Sequence, residues 1–165
     1  MHPTNESFLL TGPVHCGKTS SLSESIKDTA SIRGFICPDK DGLRYLKNIH
    51  DGSIHRFQIP IHESDDDILI GKYIFCKSGF ETAQSILQSA INQNFEYLVI
   101  DEIGKLELQG KGLEPALSLT LNNIKNTKII LVVRDYLIDD VINHYQLTTA
   151  KIIYRDDVRN IFNND

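Results

Sequence analysis

At 165 residues the chain is long enough for one domain with a real core, and 41% hydrophobic against 24% charged residues is a globular balance that excludes disorder. A formal net charge of -5 disfavours a nucleic-acid polymer as main partner, because phosphate backbones call for basic patches. Three scattered cysteines, with no C-x-x-C spacing, fit neither a disulfide framework nor a zinc site and point to a reducing, cytoplasmic setting.

Residues 1–7 have neither a basic region nor a long apolar run, so no signal peptide is expected, and no stretch approaches the roughly 20 apolar residues of a membrane span. Phe8-Leu9-Leu10 reads as a buried strand. It runs into Gly12-Pro13-Val14-His15-Cys16-Gly17-Lys18-Thr19, which satisfies G-x-x-x-x-G-K-[ST]. Such a loop turns backbone N–H groups inward around phosphate oxygens, and the following helix adds the partial positive charge of its N-terminus. Residues Gly12 through Ser20 are the expected nucleotide-binding set. Within it Lys18 reaches the β- and γ-phosphates, and Thr19 offers its hydroxyl to Mg²⁺. Leu22, Ile26 and Ala30 fall on one face of a helix expected from Lys18 to about Thr29.

Residues 31–61 are expected to form a small antiparallel meander inserted after that helix. Its strand candidates are Ile32 to Cys37, a stretch from Leu43, and Ile54 to Ile59, with turns at Asp41-Gly42 and Asp51-Gly52. His50 and His55 flank the second turn and read as exposed rather than as metal ligands. Pro60 to Leu69 reads as a polar connection. Its Ser64-Asp65-Asp66-Asp67 run lacks EF-hand spacing and reads as a solvated loop. Lys72 to Cys76 is a short strand. Ser78-Gly79-Phe80-Glu81 has the form of a capping box, opening a helix with Phe80, Ala83, Ile86, Leu87, Ala90 and Ile91 on its core face.

Tyr97 to Ile100 is an apolar run suited to a strand covered on both faces, and it ends in Asp101-Glu102. An acid closing such a strand can hold Mg²⁺ opposite Thr19, the Walker B arrangement. Glu102 is then expected to orient or deprotonate the attacking water, against the plainer alternative of a local cap or salt bridge. A further helical stripe runs from Leu113 to Ile124. Ile129 to Val133 is a second fully buried strand, Leu137 to Tyr145 a helix, Lys151 to Tyr154 a last short strand, and 160–165 a frayed polar tail. Strands alternating with helices imply a single α/β domain over 1–165, with a mostly parallel sheet and helices on both faces. Both acidic and phosphate-binding motifs lie at carboxyl ends of strands, where such sheets bind ligands.

Asp101-Glu102-Ile103-Gly104-Lys105-Leu106-Glu107 resembles the D-E-I-G-K-M-E signature of the small P-loop nucleoside-triphosphatases first described from thermophiles, which have a human cancer-related relative. The T-G-P-x-x-x-G-K-T loop, Arg33-Gly34-Phe35 and Ile70-Gly71-Lys72-Tyr73 resemble the same family, over about residues 8–133. The resemblance implies a RecA-like sheet of the additional-strand class, with one strand between the phosphate-loop strand and the Walker B strand. It implies Mg²⁺-dependent hydrolysis of ATP, GTP and other nucleoside triphosphates, slow and with low base selectivity. The alternatives on this fold are a nucleoside or nucleotide kinase, disfavoured by the lack of an evident lid and of arginines in the cleft, and a nucleotide-dependent switch with a protein partner. Nothing suggests a membrane partner.

The family commonly has glycine where this chain has His15. The loop is therefore either slightly strained or has His15 lying against the phosphates or base, the plainer alternative being an exposed side chain. Cys16, at a helix N-terminus, is a spacer or an oxidation-sensitive thiol. Lys105, which matches the family motif, and Arg134, which follows the Ile129–Val133 strand, are candidate cations for the charge developing on the γ-phosphoryl group.

Overall fold

The computed structural model describes residues 5–163. In chain order the first elements are β1 (Glu6–Leu10), α1 (Lys18–Ser25), β2 (Ile32–Ile36), β3 (Asp39–Lys40), β4 (Leu43–Asn48) and β5 (Ile54–Arg56). Next come β6 (Gln58–Ile59), β7 (Ile68–Ile70), β8 (Tyr73–Phe75), α2 (Lys77–Ala90), β9 (Tyr97–Ile103), α3 (Lys105–Leu108) and α4 (Ala116–Asn123). The chain continues through β10 (Lys128–Val133), α5 (Ile138–Tyr145), β11 (Lys151–Ile153) and α6 (Val158–Phe162).

The large sheet has the order β11-β1-β10-β9-β2-β4-β3, with β5 also pairing with β4. From β11 to β2 all pairs are parallel, and β10 lies between β1 and β9, so the additional strand is present. Side chains alternate between two cores, as a pleated strand dictates. Phe8, Leu10, Tyr97, Val99, Ile130 and Val132 pack towards α1 and α6. Leu9, Leu98, Ile100, Ile129, Leu131 and Val133 pack on the other face, towards α2, α4 and α5. Each fully buried aliphatic side chain contributes about 1.5–3 kcal/mol. This double coverage is what holds the carboxyl edge of the sheet, and the loops on it, in place.

Three expectations are corrected. The antiparallel part of 31–61 begins after β2, which itself pairs in parallel with β9, Ile32 opposite Tyr97 through Phe35 opposite Ile100. Gly34 makes that pairing possible: at φ +107 a Cβ there would lie 1.8 Å from the Val99 carbonyl oxygen. The expected Ile54–Ile59 strand is split at Phe57 between two sheets. β6 joins β8 and β7 in a separate three-stranded antiparallel sheet, so the supposed polar connection ends in a strand, Ile68–Ile70. Phe57, Phe75 and Phe80 form an edge-to-face cluster that ties this small sheet to α2.

The third correction concerns ends of elements. α2 starts at Lys77 with Cys76 as its N-cap, and no side chain caps it, so Ser78 and Glu81 form no capping box. The Cys76 N–H is already held by the Phe57 carbonyl at 2.9 Å, and the chain turns into the helix directly from β8. Residues 160–162 are not frayed: α6 buries Val158, Ile161 and Phe162, with Phe162 against the Tyr97 ring. Apolar residues at i, i+3 and i+4 gave this short helix a core-facing side. The rest of the expected tail, 164–165, lies outside the described residues.

Candidate active site

The phosphate-binding loop spans the gap between β1 and α1. Gly17, the residue before the helix, sits at φ +87, a conformation an L side chain adopts only with strain. His15 adopts φ +59, which for a non-glycine residue costs about 1–2 kcal/mol. The structure thus has the strained backbone, with the His15 residue exposed. The His15 side chain lies on the rim of a cavity described below. Lys18 is buried, and its ammonium donates to the carbonyls of Gly12 and Pro13, both at 3.1 Å. Its charge is thus held across the loop, 3.9 Å from the Cys16 sulfur.

Thr19 opens α1 one residue later. Its hydroxyl donates to Asp101 Oδ2 at 2.8 Å. The parity of β9 explains the pairing: Asp101 falls on the same side as Tyr97 and Val99, the side covered by α1. Asp101 Oδ2 also accepts the Cys37 N–H at 3.0 Å, and the Cys37 thiol donates to the Asp101 carbonyl. Asp101 is 1% exposed, and burial lifts its carboxyl to about 6 although both hydrogen bonds oppose the rise. Burial likewise pushes the Cys37 thiol well up, helped by the Asp101 charge.

A buried carboxylate short of positive charge, beside a hydroxyl, suits a hard cation with oxygen ligands. Among the described residues no group of three or more His, Cys, Asp or Glu side chains converges as a metal cage. Thr19 and Asp101 therefore fit an ion such as Mg²⁺ that takes its remaining oxygens from phosphate and water.

Glu102 turns to the other face. The register of β9 against β10 slips here, Val132 facing Asp101 and Val133 facing Ile103, so Glu102 is left over as a bulge. The Asp101–Glu102 peptide is cis. Glu102 is held by two arginines: Arg134 Nε at 2.7 Å on Oε1 and Arg44 Nη1 at 3.3 Å on Oε2. Arg134 follows β10, as expected, and its guanidinium is raised further by the Glu102 hydrogen bond. Arg44 comes from β4 and was not foreseen. Its position in an alternating strand carried no local signal, and its partner lies 58 residues away. The expectation that the cleft is poor in arginines is corrected by this pair.

Lys105 forms no ion pair with Glu102; its ammonium lies 5.5 Å from the Tyr136 ring centre. Glu107, of the same motif, is buried and structural. Its carboxylate accepts the N–H groups of Gly104 at 2.8 Å and Leu113 at 3.1 Å, pinning the loop after β9. Burial raises its carboxyl as well. Arg155, after β11, braces the phosphate loop by donating to the Cys16 carbonyl at 2.6 Å, while Ser21 donates to the Arg155 carbonyl.

Beside Glu102 a cavity of about 400 Å³ opens between the tip of the phosphate loop, the Lys105–Leu106 corner and the three-stranded sheet. His55 and Asp67, outside this region, are occupied locally: the His55 ring meets the Ser53 hydroxyl, and Asp67 accepts the Glu63 and Ser64 N–H groups. No helix among the described residues is long and apolar enough to cross a membrane.

A family model described as NTPase matches residues 7–161. Among solved structures, the chain is similar to THEP1 from the hyperthermophile Aquifex aeolicus, at TM-score 0.74 and 19% identity, over 96% of this chain and 99% of that one. No curated protein matches the sequence.

Proposed function

The chain belongs to the NTPase family, of the P-loop type, and from that premise we propose that it is a Mg²⁺-dependent nucleoside-triphosphatase that releases the γ-phosphate of ATP, GTP and other nucleoside triphosphates. The observation that carries this is the division of labour at the end of β9: Asp101 turns to Thr19 at 2.8 Å, and Glu102 turns to Arg44 and Arg134.

In this reading the loop from Gly12 to Ser20 holds the triphosphate, and Lys18 exchanges loop carbonyls for phosphate oxygens. Thr19 and Asp101 hold Mg²⁺, which when bound neutralises charge on the phosphate oxygens. Glu102 orients the attacking water and takes its proton, while Arg44 and Arg134 fix the carboxylate in place. A carboxylate immobilised at both oxygens has little freedom to lose when the water binds. Arg134 and Lys105 would supply positive charge to the γ-phosphoryl group as it is transferred. No base-reading group is evident in the loop, which supports broad base use, and three free cysteines support a reducing cytoplasmic setting.

Purified protein with ATP or GTP and magnesium should release phosphate, stop on adding chelator, and lose activity in Lys18→Ala. Intact triphosphate after prolonged incubation would refute the assignment.

A further inference from the structure

Hydrolysis needs room for one water, whose share of liquid volume is about 30 Å³. The cavity beside Glu102 is about 400 Å³, within the range of small-molecule sites. Its inner wall is the Phe57–Phe75–Phe80 cluster, and its outer wall is the β7–β8 hairpin with Ile70 and Tyr73. The sequence signalled no cover there, because β7 falls in a stretch that reads as a polar connection and pairs with β8 only in the folded sheet.

The charges facing the cavity balance. Arg44, Lys105 and Arg134 are opposed by Asp39, Glu102 and Glu107. Both arginines already share Glu102, and Lys105 lies over Tyr136. In the reading above Arg134 and Lys105 serve the γ-phosphoryl group and Arg44 is paired to Glu102, so an anionic acceptor would find no further cation on these walls. A neutral ring would find aromatic and aliphatic walls, with one carboxylate at the polar end.

We propose that this cavity binds a second substrate, a neutral, largely apolar ring compound bearing a hydroxyl, which accepts the γ-phosphoryl group in place of water. The assignment rests on the role given to Glu102 above. The hydroxyl oxygen forms a bond to the γ-phosphorus. The bond from that phosphorus to the bridging oxygen breaks, and its electron pair leaves on the nucleoside diphosphate. The hydroxyl proton passes to the Glu102 carboxylate and from there to solvent. The products are a phosphate monoester and a nucleoside diphosphate. Release of inorganic phosphate is the same transfer with water in the acceptor's place.

The test uses full-length protein, magnesium and ATP labelled at the γ-phosphate, with a panel of nucleosides, benzylic alcohols and hydroxymethylpyridines at millimolar concentration. The expected result is label on at least one ring alcohol, with inorganic phosphate falling by a matching amount. If every panel member leaves all label in inorganic phosphate at an unchanged rate, the acceptor site is wrong while hydrolysis stands. If the control without acceptor releases nothing but an alcohol is labelled, the hydrolase reading fails and the acceptor site holds. If neither product forms, both fail. Ile70→Trp fills the outer wall and should lower transfer to the alcohol at least tenfold more than phosphate release. Tyr73→Ala, at a half-exposed position that tolerates truncation, should raise the alcohol's KM severalfold with the rate of phosphate release kept. Transfer unaltered in both variants would place the acceptor elsewhere and overturn the proposal.

Discussion

The Thr19 hydroxyl and Asp101 Oδ2 lie 2.8 Å apart although 82 residues separate them. The first lies in the first turn of the helix after the phosphate loop, and the second near the end of β9, two places from β1 in the sheet. The pair puts a buried carboxylate where no cation among the described residues is bonded to it, and the protein's stability should register that.

Asp101→Asn is expected to stabilise the metal-free protein at neutral pH by about 1–3 kcal/mol, since it removes a buried charge and keeps an acceptor for Thr19 and Cys37. The same change should abolish the added thermal stability that Mg·ATP gives the unaltered protein. Melting curves with and without Mg·ATP measure both.

The pH dependence follows from the same group. Burial raises the Asp101 carboxyl from 3.8 to about 6, so the folded state binds the proton more tightly than the unfolded one. Its contribution to stability is complete below about pH 4 and is lost as pH rises through 6, by about 3 kcal/mol. Glu107, raised by burial, acts in the same direction. Denaturation in chelator at pH 4 to 7 should show the difference between the unaltered protein and Asp101→Asn shrinking as pH falls.

Glu102→Gln keeps shape and one acceptor for Arg134 but cannot take a proton. Hydrolysis should fall about 10²–10⁴-fold with nucleotide affinity retained. Equilibrium binding of a fluorescent nucleotide alongside phosphate release gives the comparison. Equal activity in the variant would remove Glu102 from the chemistry.

Arg44 and Arg134 share one carboxylate, so their effects should not add. Either arginine changed to Ala is expected to lower turnover about tenfold or more, and the double variant to lose less than the product of the two. A double-mutant cycle on turnover, with nucleotide affinity as control, reads the coupling.

Gly34→Ala should be among the most damaging single changes, above about 4 kcal/mol. The added Cβ meets the Val99 carbonyl at 1.8 Å, and φ +107 is hostile to any side chain. Denaturant titration of the variant, or its failure to accumulate as soluble protein, is the measurement.

By itself the sequence determined what is written in neighbouring residues: the glycine-lysine-threonine loop, the apolar strands, the acidic pair at the end of β9, and the family signature around it. These are local because a turn, a strand parity or a helix start depends on residues a few places apart. Arg134 was legible for the same reason, as the residue after a confident strand. Arg44 was not, because its meeting with Glu102 depends on β4 lying antiparallel to β2 and β2 parallel to β9. The cavity was hidden likewise: the stretches of β6 and β8 read as strands, but β7 did not, and which strands pair is decided only in the folded sheet. The two adjacent carboxylates were legible as a pair; only the packed sheet decided what waits beside each, because partners drawn from distant segments are selected by register and burial and not by sequence spacing.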